Sequence, residues 1–174
     1  DDWIVGVNGV AYTLPPGGFA AFKPDDILAY SATLNGQRHE LVWCRDYLYL
    51  DTRGGLVRTP VVTARGTVAV KPDGANAWWV IPATKCEEAS IAHAWLNASG
   101  DMRFSATAFT LDGSVVGSAT VLEGMATVTV VPCADASVVK YRLTAETAES
   151  SVFSELRLAS RSVLTTNSVP ATVA

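Results

Sequence analysis

The chain reads as an all-β protein, an antiparallel β-sandwich. Three observations carry this. Short runs rich in Val, Ile, Thr and aromatic residues alternate apolar and polar with period two. Two-residue turn signals, Asn8-Gly9, Asn35-Gly36 and Asp112-Gly113, stand between such runs. The hydrophobic fraction of 49% against 17% charged is enough for a buried core and too apolar for disorder. The expected architecture is two Ig-like or jelly-roll-like lobes, residues 1–90 with a candidate ligand surface and 91–174 with a fraying tail.

Trp3–Val7 and Val10–Leu14 flank Asn8-Gly9, where both residues tolerate positive φ, and so predict a first hairpin. Pro15-Pro16-Gly17-Gly18 stops it. Phe19–Phe22 is a short strand ended by Lys23-Pro24-Asp25-Asp26. Ile27–Leu34 and Gln37–Trp43 flank Asn35-Gly36 as a second hairpin. Tyr47–Asp51 follows, with Leu48 and Leu50 on one face and Tyr47, Tyr49 and Asp51 on the other. Arg53-Gly54-Gly55 reads as a turn. Val57–Ala64 and Thr67–Val70 are β-branched runs split by Arg65-Gly66. Pro72-Asp73-Gly74 turns the chain into Ala77–Ile81.

Residues Thr84–Leu96 fit two patterns, helical turns over Lys85–His93 or a strand over Ile91–Asn97, and the lobe boundary is set there. Beyond it Met102–Leu111, Ser114–Val121, Ala126–Val131 and Val138–Ala145 are separated by Asp112-Gly113, Leu122-Glu123-Gly124 and Pro132–Ser137. Four strands at a spacing of about 8–12 residues support the sandwich. Val152–Val163 reads as a closing strand, with a short helix over Ala145–Ser151 as an alternative. The polar tail Thr165–Ala174 reads as a fraying end.

Charge narrows the function. The net charge is −4, and Lys and Arg do not cluster, so neither nucleic acid nor an acidic membrane surface is an expected partner. No apolar run approaches the roughly 20 residues of a membrane-spanning helix. The opening Asp1-Asp2-Trp3 reads as a processed or excised segment of something longer. Few Lys and many Thr, Ser, Val and Ala match extracellular bacterial β-modules, so a secreted or cell-surface location is expected.

Catalytic constellations are sparse. Cys44, Cys86 and Cys133 lie far apart, without a CxxC pair, and are expected as small buried hydrophobes. His39 is expected at an exposed strand position and His93 half-buried. Neither has a partner at metal-ligand spacing. No nucleophile elbow or phosphate loop occurs. Two carboxylates suffice for glycoside hydrolysis, which makes Glu40, Asp46, Asp51, Asp73 and Glu123 the ones to weigh. A catalytic acid needs a buried setting, whereas Asp51-Thr52-Arg53 reads as a strand-end ion pair or turn cap. No enzymatic activity, cofactor or metal is expected in this chain.

Aromatics are the better candidates. An indole or phenol face packs against the C–H patch of a sugar ring, and neighbouring polar groups read the hydroxyls. Trp78 and Trp79 are adjacent in a strand and so point to opposite faces. Trp78, sharing its face with Val80, is expected inside, and Trp79 outside. The expected ligand surface is therefore Trp79, Tyr47 and Tyr49 as platform, with Asp51 and Arg53 bonding hydroxyls. Trp3, Trp43 and Trp95 stand among aliphatic residues and are expected in the core. Asn97-Ala98-Ser99 is a formal glycosylation sequon on a turn.

Two stretches resemble a known group of domains. Val5-Gly6-Val7-Asn8-Gly9-Val10-Ala11-Tyr12-Thr13-Leu14-Pro15-Pro16-Gly17-Gly18-Phe19 is similar to late strands of the β-sandwich domains that follow the barrel in many bacterial glycoside hydrolases. There a Val-Asn-Gly hairpin leads to a Leu-Pro-Pro stop. Met102–Leu143 resembles the small Ig-like or fibronectin-like accessory modules of the same enzymes, with Asp112-Gly113 as a hairpin turn and Lys140-Tyr141-Arg142-Leu143 as a late strand. The resemblance implies a non-catalytic ancillary domain of a carbohydrate-active enzyme. Such a domain either binds polysaccharide beside an appended catalytic domain or serves as a structural spacer without a ligand. These domains share architecture rather than a fixed site, so no binding residue carries over.

Overall fold

The structure is a computed structural model that describes residues 2–83, 86–99 and 101–147. Among these the protein is all-β and antiparallel, with fourteen strands and one helical turn. The strands are β1 (Trp3–Val7), β2 (Val10–Leu14), β3 (Phe19–Lys23), β4 (Ile27–Leu34), β5 (Gln37–Cys44), β6 (Tyr47–Arg58), β7 (Val62–Pro72), β8 (Ala77–Pro82) and β9 (Glu88–Ala92). After α1 (His93–Leu96) come β10 (Met102–Phe109), β11 (Val115–Ser118), β12 (Thr120–Glu123), β13 (Thr127–Val131) and β14 (Lys140–Thr147).

The longest path through the sheet runs β1-β2-β4-β5-β6-β7-β8-β14-β10-β11. It forks at two long strands. β4 shares one edge between β3, over Ile27–Ser31, and β2, at Thr33. β7 shares one edge between β8, over Val68–Pro72, and β9, over Val62–Arg65. The second arm continues from β9 to β13 and β12. The arms meet again where β12 passes β10. There the Ala119 N–H donates to the Ala106 carbonyl at 2.9 Å and the Phe104 N–H to the Glu123 carboxylate at 2.7 Å.

Register explains the core. Directly opposed residues share a face. One row across seven strands reads Leu28, Trp43, Leu48, Val70, Val80, Tyr141 and Ala108, apolar throughout. On the second arm Val62 and Ala64 of β7 face Ile91 and Ala89, which face Val128 and Val130. All these residues but Leu28 and Trp43 are buried, and they form one cluster with Tyr12, Tyr30, Leu41 and Leu50. Burial of each Val, Leu or Ile among them contributes about 1.5–3 kcal/mol.

Several expectations need correction. The expected turn at Arg53-Gly54-Gly55 is a bulge inside β6. The register between Asp51 and Leu56 slips there, and Arg53 and Gly54 take φ of 54° and 87°. The buried Thr52 hydroxyl secures the bulge by accepting the Gly66 N–H at 2.7 Å. Arg65-Gly66 likewise lies within β7, and the chain reverses instead at Thr59-Pro60-Val61. The Thr59 hydroxyl donates to the Val62 carbonyl and accepts its N–H. The ambiguous segment contains both structures in the opposite order, strand β9 and then helical turn α1. The run expected over Ser114–Val121 breaks at Ala119, where the chain passes from β10 to β13, and Glu123 ends β12 rather than lying in a turn.

The boundary set between residues 90 and 91 falls inside β9, and β14 pairs with β8, so strands from both expected lobes share one sheet and one core. The expectation for Val152–Val163 lies outside the described residues. So do residues 148–151 of the alternative helix, whereas Ala145–Thr147 belong to β14.

Candidate functional site

The face opposite the core row carries four of the five expected ligand residues at strand positions set by the register. Tyr47, Tyr49 and Asp51 alternate with the fully buried Leu48 and Leu50. Trp78 is buried and Trp79 is on the other face, half-buried. Tyr49 stands opposite Val42 on one side and Ala69 on the other, and Ala69 stands opposite Ile81. One level along, Lys71 opposes Trp79, which opposes Arg142. Tyr47 is 39% exposed and Ile81 37% exposed, high for large apolar groups on a sheet. Between Tyr49 and Ile81 the register places only the small side chain of Ala69, and this difference in side-chain size defines a shallow trough. With strands about 4.8 Å apart, its walls are about 10 Å apart.

Polar groups border the trough, and most are already engaged. Asp51 accepts the Thr67 hydroxyl at 3.1 Å and the Arg53 N–H at 2.9 Å. Arg53 reaches over to β5 and donates to Glu40 at 2.6 Å, and Glu40 also accepts the Ser31 hydroxyl. Asp51 therefore caps the bulge, and Arg53 pairs with Glu40. Trp79 is flanked as well. The Lys140 ammonium lies 4.5 Å from its ring centroid, and Phe109 meets it edge-on at 5.3 Å. Arg142 donates to Asp73 at 2.7 Å and holds that carboxyl below the usual range, and the Trp79 side chain adds to this. Burial raises the Tyr49 phenol, with Asp51 and Glu40 adding to the effect.

Three features lie elsewhere. His39 is buried rather than exposed. It shares the inward parity of Leu41, while its charged neighbours Arg38 and Glu40 point the other way. Its Nδ1 lies 3.1 Å from the Gln37 carbonyl, which can only accept, so Nδ1 carries the proton. Nε2 then accepts the Tyr30 hydroxyl at 2.9 Å. Burial pushes the imidazole down and the Tyr30 phenol up, so both stay neutral near pH 7. Tyr12 packs on Tyr30 at 4.9 Å, and all three line a cleft of about 410 Å3 beneath the first hairpin.

The second feature is an aromatic cleft at the end of the core. Trp43 of β5, Trp78 of β8 and Trp95 of α1 line it, together with Asp25, Asp46 and Arg45 from two turns. Trp43 and Trp95 were expected in the core. Both pack against it but stay half-buried. The Trp95 indole N–H donates to the Cys44 carbonyl at 2.9 Å, whereas the Trp43 N–H is buried without a partner. Trp3, also expected in the core, is 73% exposed on β1, at one end of the sheet.

The third feature is the nucleophiles and metal-ligand types. Cys86 is buried and its thiol is pushed up to about 11 by that burial, which removes it as a nucleophile. Cys44 is half-buried and Cys133 exposed, against the expectation of three buried thiols, and all three are free. His93 is buried, stacks on Phe104 at 5.4 Å and leaves Nε2 unpartnered. Among the described residues no group of three or more His, Cys, Asp and Glu is placed to hold a metal, and no helix is long and apolar enough to cross a membrane.

No family model, curated protein or solved structure matches the chain.

Proposed function

We propose that this chain is a non-catalytic module that binds polysaccharide and holds an appended glycoside hydrolase near its substrate. Tethering raises the effective concentration of enzyme at the polymer without any chemistry in the module. The observation that carries the reading is the outer face itself. Tyr47, Tyr49, Ile81 and Trp79 are set by β-register on one surface, with Ala69 as the floor of a trough between them. A sheet fixes such rings rigidly, so little ordering entropy is lost on binding. The carboxylates near this face support a binding role rather than hydrolysis. Asp51 and Glu40 are engaged as hydrogen-bond acceptors within the bulge network, and Arg142 holds the Asp73 carboxyl below its usual range, the opposite of what a catalytic acid needs.

A second reading, a spacer without a ligand, is favoured by one observation. The polar groups beside the trough, Asp51, Arg53 and Glu40, already satisfy one another. Affinity electrophoresis against xylan, glucan, mannan, pectin and mucin separates the two. Retardation by one polymer, weakened about tenfold or more by Trp79→Ala, supports the binding module. Mobility unchanged on all five supports the spacer.

A further inference from the structure

We infer that the cleft between β5, β8 and α1 is a second saccharide site, which takes a short neutral oligosaccharide. The inference rests on the reading that this chain binds glycan, and it concerns a different surface. The cleft holds about 620 Å3, within the range of about 300–1,000 Å3 usual for ligand sites. Trp78 is buried in its wall, while Trp43 and Trp95 are half-open. The hydrogen bond from Trp95 to the Cys44 carbonyl ties α1 to the end of β5 and fixes that indole in place.

The polar rim differs from that of the outer face. Asp25, Arg45 and Asp46 are exposed, and their side chains form no hydrogen bond or ion pair with any described residue. Two turns, β3–β4 and β5–β6, thus bring unspent donors and acceptors to an aromatic floor. Sugar hydroxyls match this set, because each can donate to a carboxylate and accept from a guanidinium. Other ligand classes match less well. Asp26 is paired with Lys23, and the two remaining carboxylates, Asp25 and Asp46, outnumber Arg45, which disfavours uronates, sulfates and phosphates. A quaternary ammonium would face the Arg45 guanidinium in a cleft much wider than it needs.

The test is a tryptophan-fluorescence titration of the whole chain with cellohexaose, xylohexaose and mannohexaose, with tetramethylammonium chloride as the cationic probe. The expected result is a saturable emission change with one hexaose. The double variant Arg45→Gln, Asp46→Asn should weaken it at least tenfold while keeping the wild-type urea midpoint. No change with any hexaose, an undiminished response in the double variant, or a response to tetramethylammonium alone overturns the proposal. Gel retardation by a polymer, lost in Tyr49→Ala, without any hexaose response removes the cleft and leaves the outer face standing. Absence of both removes both sites.

Discussion

Tyr49 and Ile81 stand level with one another on the outer face, each paired across the sheet with the same residue, Ala69. The trough between them exists because β7 presents a methyl group where its partners present large side chains. Ala69→Leu fills it. The side chain points outward, so the fold should tolerate the change within about 0.5 kcal/mol. Polysaccharide retardation should weaken at least tenfold while the circular-dichroism spectrum stays that of the wild type. Retained binding would place the ligand elsewhere.

The Thr52 hydroxyl anchors the β6 bulge through the Gly66 N–H in a fully buried setting. Thr52→Val keeps the shape and leaves that N–H unpaired, at a cost of about 1–3 kcal/mol. Urea denaturation measures this directly. A loss near zero would mean that the bulge does not depend on the contact.

Tyr30 and His39 make a stability switch with a defined sign. Burial puts the folded-state pKa of His39 below its ordinary 6.5. Above 6.5 the imidazole is neutral in both states and the full stability is present. As pH falls below 6.5 the unfolded chain takes up its proton first, and stability declines until pH passes the folded value. The urea midpoint should therefore drop between about pH 7 and pH 5, and His39→Gln should flatten that slope. This window lies above the 4.5 from which Glu123 is lowered by the Phe104 N–H and Arg103, so the carboxylate does not contribute to it.

Two tryptophans in one cleft should respond differently to the same change. Trp95→Phe removes a hydrogen bond to Cys44, worth about 0.5–1.5 kcal/mol. Trp43→Phe removes a buried N–H that has no partner. The Trp95 variant should be the less stable of the two by thermal or urea denaturation. The reverse order would show that ring volume, not the polar atom, decides both.

The sequence made the strand interiors legible where period two runs unbroken. Leu48 and Leu50 are inside, and Tyr47 and Tyr49 are out, because alternation in a strand leaves no other arrangement. It misled where one local need serves two structures. Arg53-Gly54-Gly55 supplies positive φ, which a turn and a bulge both use, and only pairing with Gly66 across the sheet decides between them. His39 was legible in principle, since it has the parity of Leu41, but its charged neighbours obscured this. The tryptophan cleft was not legible. Trp43, Trp78 and Trp95 meet only because β8 lies beside β7 and α1 folds back onto the end of β5, and such contacts are not local in sequence. Trp3 looked like a core residue by its aliphatic neighbours, and position at the end of the sheet outweighed that.

The most direct measurement is affinity electrophoresis of the wild type and Tyr49→Ala side by side against the five polysaccharides. The account predicts that at least one polymer retards the wild type and that Tyr49→Ala is retarded at least tenfold more weakly, with an unchanged unfolding midpoint. Free migration of the wild type on every polymer, or equal retardation of both proteins, would contradict it.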